Sequence, residues 1–136
     1  MVVDAKGTPW CAVLSGANIN DHLLLEEVVD AIPPIRNGRP GRPRRRPDKM
    51  HADKAYDFEV CRQALLERGI VPRIARRGIE SSERLGRVRW VVERTQAWLN
   101  QYRRLKIRYE QRDGIHQAFL SLGCALICLK QLHRLC

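Results

Sequence analysis

The chain has 136 residues, with 25 Lys and Arg against 15 Asp and Glu, a formal net charge of +10 and a pI near 10.0. That size allows one compact domain or one domain with a tail, and 44% hydrophobic residues suffice to bury a core. The composition excludes a collagen-like, mucin-like or coiled-coil chain, and the basic balance points to a polyanionic partner, nucleic acid before membrane surface.

Met1 to Val3 reads as the stub of a strand, Lys6-Gly7-Thr8-Pro9 as a turn, and Trp10 to Ser15 as a second strand. Asp4 stands where a signal peptide would carry basic residues, so the expected location is the cytoplasm. Asn20 or Asp21 can cap a helix from His22 to Ala31, with Leu24, Val28 and Ile32 on its inner face. Pro33 and Pro34 end it.

The next stretch, residues 36–49, holds seven basic residues and one acid, broken by prolines and glycines. A solvated linker would account for the absence of regular structure. Six arginines in eleven residues (Arg36, Arg39, Arg42, Arg44, Arg45 and Arg46) point instead to a phosphate-contacting arm.

Lys49 to Ala52 reads as a strand ending at Asp53. Asp57 can cap a helix from Phe58 to Arg68 with Val60, Ala64 and Leu65 inward, and Gly69 can stop it. Ile70 to Ile74 returns as a strand, which makes a βαβ unit and an α/β core. A basic loop should run from Arg76 to Gly86. Val88, Val91, Val92, Thr95, Trp98, Leu99 and Tyr102 then recur at spacings of three and four, predicting a helix over about 87–103. Asp113 can cap a last, apolar helix over about 114–135. Its uncharged run of 16 residues falls short of the roughly 20 a membrane span needs.

The five cysteines are scattered and odd in number, which suits reduced thiols. Cys124, Cys128, His133 and Cys136 could ligate zinc. Their place in an apolar helix favours buried thiols instead, since structural zinc sites draw ligand pairs from turns.

Two carboxylates stand out by position. Asp53 lies at the C-terminal end of a predicted strand, the edge where open α/β sheets place ligands. Glu93 lies mid-helix, away from the Val and Trp stripe. A strand-end turn would explain the first, and an ion pair with Arg89 the second. Taken together on a basic chain, they suit divalent cations that bridge a nucleic-acid phosphate.

At these residues the chain resembles the DDE (Asp-Asp-Glu) transposases of bacterial insertion sequences. Ala52-Asp53-Lys54-Ala55-Tyr56-Asp57 is similar to the strand end that carries their second catalytic Asp. Arg89-Trp90-Val91-Val92-Glu93-Arg94 is similar to their Glu-bearing helix, and Arg103-Arg104-Leu105, Arg108-Tyr109-Glu110 and Ala118-Phe119-Leu120 follow the same pattern. Gly86 and Asn100 depart from it, at positions where a tyrosine and a lysine are usual.

The resemblance implies an α/β, ribonuclease H-like fold in truncated form. It also implies Mg²⁺ or Mn²⁺ as cofactor and double-stranded DNA, at transposon ends and target, as partner. Asp53 and Glu93 would be catalytic metal ligands, with Arg89 holding DNA beside them. The strand bearing the first catalytic Asp would lie ahead of Met1, so the expectation is a portion inactive alone, completed by an upstream-encoded transposase segment. Self-association on paired ends is expected from the family. The competing expectation is a non-catalytic DNA-binding remnant or inhibitor of transposition.

Overall fold

The computed structural model describes residues 1–16, 18–36, 40–76, 78 and 82–133, with side chains at all of these except 21 and 82–88. Arg39 and Cys136, singled out above, lie outside the described residues. The chain is mixed α/β and divides into two compact units, Met1–Leu14 with Trp90–Cys136, and Ser15–Arg89.

The first unit begins with a short antiparallel pair, β1 (Val2–Val3) and β2 (Pro9–Cys11), in which Val2 faces Cys11 and Val3 faces Pro9. The turn between them is built by Asp4. Its Oδ1 accepts hydrogen bonds from the Lys6 and Thr8 amides, both at 2.8 Å, and Gly7 takes a φ of +83°. The second strand is shorter than the stretch to Ser15 expected from sequence. Beyond Cys11 the backbone turns to α5 instead: Gln117 donates to the Ala12 carbonyl at 2.8 Å and accepts from the Leu14 amide at 2.9 Å.

The other regular elements described in this unit are helices: the C-terminal part of α3 (Ser82–Leu99), the single turn α4 (Arg103–Lys106) and α5 (Asp113–His133). Helix α3 begins earlier and ends earlier than the 87–103 expected, so its start takes in residues assigned to the basic loop. Val91, Thr95 and Leu99 form its buried line, at the 3.6-residue period that the sequence pattern implied.

Helix α5 differs from expectation. Read from sequence as a buried helix, it buries Gly123 and Ile127 but leaves Ile115, Leu122, Leu126, Leu129 and Leu132 exposed. It extends past the uncharged run at both ends, and by length and composition alone it is long and apolar enough to cross a membrane.

In the second unit, β3 (Lys49–Ala52) and β4 (Val71–Ile74) pair in parallel, in register from Lys49 opposite Val71 to Ala52 opposite Ile74. The crossover between them is α2 (Glu59–Glu67), which completes the expected βαβ unit. Helix α2 stops where Gly69 adopts a φ of +70°. There the Gly69 amide bonds the Leu66 carbonyl at 2.8 Å and the Ile70 amide bonds the Leu65 carbonyl at 2.9 Å. That pair of bonds satisfies the last carbonyls and seats Leu65 and Ile70, each 1% exposed, side by side in the core.

Three local expectations change here. The α2 N-cap position is Phe58 rather than Asp57, and Asp57 instead binds the Arg62 guanidinium at 2.6 Å. Val60 is exposed, and Cys61 occupies the inward place beside Ala64 and Leu65. The first helix enters through a 3-10 turn (Asp21–Leu24) before α1 (Leu25–Asp30), with no side-chain cap from Asn20. The tighter turn rotates the buried face to Leu25 and Val29, one residue on from Leu24 and Val28, while Ile32 stays buried.

Candidate functional site

Asp53 follows the last residue of β3 directly, at the C-terminal end of a parallel strand. Its Oδ1 accepts a hydrogen bond from the Ala55 amide at 2.9 Å, which caps the 3-10 turn Lys54–Tyr56. The side chain is exposed, and its second oxygen accepts no hydrogen bond from the described residues. The turn-residue reading accounts for one oxygen of this carboxylate. On the same strand, His51 lies opposite Arg73. Partial burial, then Lys49 and Arg73, hold its pKa below the ordinary histidine value and favour the neutral ring.

Glu93 lies in α3, exposed, on the side away from Val91, Thr95 and Leu99. Arg89 precedes it by four residues in the same helix and is also exposed. Asp53 falls in the second unit and Glu93 in the first. Among the described residues no three His, Cys, Asp or Glu side chains are grouped to hold a metal ion.

Asp4 and Glu110 have structural duties. Asp4 builds the first turn, as above. Glu110, in the tail segment that follows the family pattern, has a side chain only 6% exposed. It pairs with Arg104 at 2.9 Å and lies 3.5 Å from His116 Nδ1. Desolvation pushes its pKa up, but a backbone hydrogen bond and Arg104 outweigh this and leave it below the ordinary glutamate value.

The arginine segment is divided in its commitments. Arg46 Nη1 donates to the Val29 carbonyl at 2.9 Å and Nη2 to Asp30 at 2.7 Å, so it fastens the loop to α1. Arg44 pairs with Asp48, and its backbone bridges to Ile35. Arg36, Arg42 and Arg45 are exposed, and none bonds to another described residue. Arg36, Arg42 and Arg44 with Ile35, Pro40 and Pro43 line a shallow concavity of about 170 Å³.

One feature of α3 carried no signal in composition or charge. The Arg94 guanidinium lies 4.2 Å from the Trp90 ring centre and 4.9 Å from that of Trp98, and it donates to the Lys6 carbonyl at 2.7 Å. The spacing of Trp90, Arg94 and Trp98 by four was the available sign.

A basic chain with an exposed acid at a parallel strand end and a second acid on a helix matches a known class. The chain belongs to the transposase DDE domain family, whose model matches residues 1–128. Over 134 residues, 98% of its length, it is 55% identical to a Burkholderia cepacia protein named "Putative transposase for insertion sequence element IS402". The chain spans 63% of the length of that relative. No solved structure matches it.

Proposed function

We propose that residues 1–136 are part of a ribonuclease H-like transposase catalytic domain. It would act in DNA transposition through metal-dependent strand cleavage and strand transfer at transposon ends, and would be inactive by itself. The observation that supports this most is the placement of Asp53. It is the acid of a motif that resembles the family's, exposed at the C-terminal end of a parallel strand and held there through one oxygen.

Asp53 and Glu93 would each supply carboxylate oxygens, the donors that Mg²⁺ and Mn²⁺ take. Bound there, the cation would stabilise charge on the attacking and leaving oxygens of a phosphodiester. Arg89, Arg36, Arg39, Arg42, Arg44 and Arg45 are the proposed DNA contacts, with the exposed members of the loop the best placed, and Arg46 fastens that loop to α1. The protein would work in the cytoplasm on nucleoid DNA, and self-association on paired ends is part of the proposal.

A further transposase segment, equivalent to the length of the relative that this chain does not span, would supply the first acid. The exposed Leu122, Leu126, Leu129 and Leu132 of α5 support such a partner, because a stripe of that kind is ordinarily covered.

The test is metal-dependent nicking of transposon-end DNA by the chain joined to that segment, with Asp53→Ala and Glu93→Ala compared. Loss of nicking with DNA binding retained is the expected result. Nicking that survives both changes would falsify the site assignment. Absence of nicking in the joined protein, with binding that depends on the arginine loop, would establish the DNA-binding remnant instead.

A further inference from the structure

We infer that the corner between α4 and α5 is a second phosphate-contacting surface for duplex DNA, carried by Arg103, Lys106 and Arg112. The inference rests on the DNA-binding part of the reading above. It lies in the first unit, whereas the arginine loop lies in the second. Residues 103–113 hold five cations, Arg103, Arg104, Lys106, Arg108 and Arg112, against two acids, Glu110 and Asp113.

Both acids are committed inside the corner. Glu110, its side chain 6% exposed, bonds Arg104 at 2.9 Å and lies 3.5 Å from His116 Nδ1, and Asp113 pairs with Arg108. Arg104 also sits over the Tyr109 ring at 5.5 Å and the Phe119 ring at 5.6 Å, so it ties α4 to the connecting segment and to α5. Arg108 Nε donates to the Glu110 carbonyl at 3.0 Å. The Arg112 carbonyl accepts from the Ile115 and His116 amides at 3.2 and 3.3 Å, where α5 begins. The backbone that carries the remaining cations is therefore held in place.

Arg103, Lys106 and Arg112 are exposed, and none pairs with an acid among the described residues. Arg103 and Lys106, three apart on one helical turn, share a face. Arg112 stands two residues beyond Glu110, which Arg104 draws against α4. Like charges gathered in this way repel, and the acids nearest in sequence are turned to Arg104 and Arg108 instead. A row of phosphates offsets that repulsion, and each cation that docks on duplex DNA also releases condensed counterion. Such contacts fix orientation on the duplex without reading its sequence. A surface of anionic lipid offers the same sign of charge and is the other outcome of the test.

The experiment measures binding of Arg103→Gln, Lys106→Gln, Arg112→Gln and the triple variant to a short duplex of arbitrary sequence over a salt series. Each single change should lower the slope of log affinity against log salt by about 1, and the triple change by about 3. Their melting temperatures should stay close to the wild type. Arg104→Gln should instead lower the melting temperature, because buried Glu110 would lose its cation, and should keep the slope. Lys6→Gln removes an exposed charge from the β1–β2 turn of the same unit and should leave the slope unchanged.

A wild-type slope in the triple variant, while Arg42→Gln and Arg45→Gln change theirs, overturns the inference and leaves the transposase reading standing. A slope lowered as much by Lys6→Gln as by Arg103→Gln also overturns it, since net charge and not this corner would then govern binding. Lost binding to vesicles of anionic phospholipid with the DNA slope intact overturns it as well, and assigns the corner to a membrane surface. Failure of the wild type to bind the duplex overturns the DNA-binding reading and this inference with it.

Discussion

The Thr95 hydroxyl lies 2.8 Å from the Gly7 carbonyl oxygen, joining the centre of α3 to the turn between β1 and β2. Thr95 is fully buried, and its hydroxyl also lies 3.0 Å from the Val91 carbonyl, so one proton is shared between two acceptors. Gly7 has a φ of +83°, and a Cβ there would come 2.9 Å from Thr95 Oγ1 and 3.0 Å from the Arg94 guanidinium. Gly7→Ala is expected to destabilise the protein by about 1–3 kcal/mol through left-handed backbone strain and that crowding. Thr95→Val, which removes the hydroxyl and keeps the shape, should cost about 1–3 kcal/mol. Urea unfolding of the two variants and of their double mutant checks both values. Residues in direct contact should not add independently.

In the second unit Arg68 draws α1 and α2 together. It contacts Asp30 through Nε at 3.0 Å and Nη2 at 2.8 Å, Glu26 at 2.9 Å and the Ala64 carbonyl at 2.9 Å. The hydrogen bond from Arg68 holds the Asp30 pKa below its ordinary value of 3.8, with Arg46 helping and desolvation opposing. A carboxylate whose folded pKa is depressed contributes stability that is present above the unfolded value and lost as pH falls through the folded one. The wild type should therefore lose stability from about pH 4 downward more steeply than Asp30→Asn, which should also be less stable at neutral pH. Because Asp30 is about half exposed, high salt should narrow the difference. Melting curves across pH at two salt concentrations measure this, and parallel acid limbs for the two proteins would exclude the role assigned to Asp30.

The elements that were legible in the sequence are those whose signals are local. Gly69 supplied its own stop to α2, and the strands expected on either side of that helix pair in parallel as β3 and β4. The α3 pattern gave the correct buried face at Val91, Thr95 and Leu99. Errors arose where a competing partner or a different local turn decided the outcome. Asp57 looked like a cap because caps are read from type and position, but Arg62 claims it. Leu24 and Val28 looked inward because an α-helix was assumed where the chain enters through a 3-10 turn. Asp53 was visible as a strand-end acid, whereas the Arg94 clasp of Trp90 depends on a carbonyl 88 residues away.

Helix α5 packs on the rest of its unit through the smallest residue it has. A Cβ at Gly123 would come 2.7 Å from Leu105 Cδ1, 3.0 Å from Leu99 Cδ2 and 3.6 Å from the Tyr102 ring. The helical backbone would accept alanine, whose higher helix propensity is worth up to about 1 kcal/mol. Crowding should outweigh that gain. Gly123→Ala is expected to be destabilising by about 1 kcal/mol net, and Gly123→Val by more, since both leucines and the tyrosine would have to shift. Combining Gly123→Ala with Leu105→Val, which removes a methylene at the tightest contact, should recover part of the loss. A stabilised Gly123→Ala protein in thermal melts would show that this contact relaxes freely.

The arginine loop separates into side chains that hold the fold and side chains open to a ligand. Arg46 is bonded to the Val29 carbonyl and Asp30, whereas Arg42 and Arg45 are exposed and bond to no other described residue. On duplex DNA each phosphate contact releases condensed counterion and contributes about 0.9 to the slope of log affinity against log salt. Arg42→Gln and Arg45→Gln should each weaken binding without sequence preference, lower that slope by about 1, and leave the melting temperature close to the wild type. Arg46→Gln should do the reverse. It should lower thermal stability through loss of a charge-assisted bond and a backbone contact, with little change in slope. Fluorescence anisotropy over a salt series, paired with thermal melts, distinguishes the two. A slope change for Arg46→Gln equal to that of Arg42→Gln would mean that the loop leaves α1 when DNA binds.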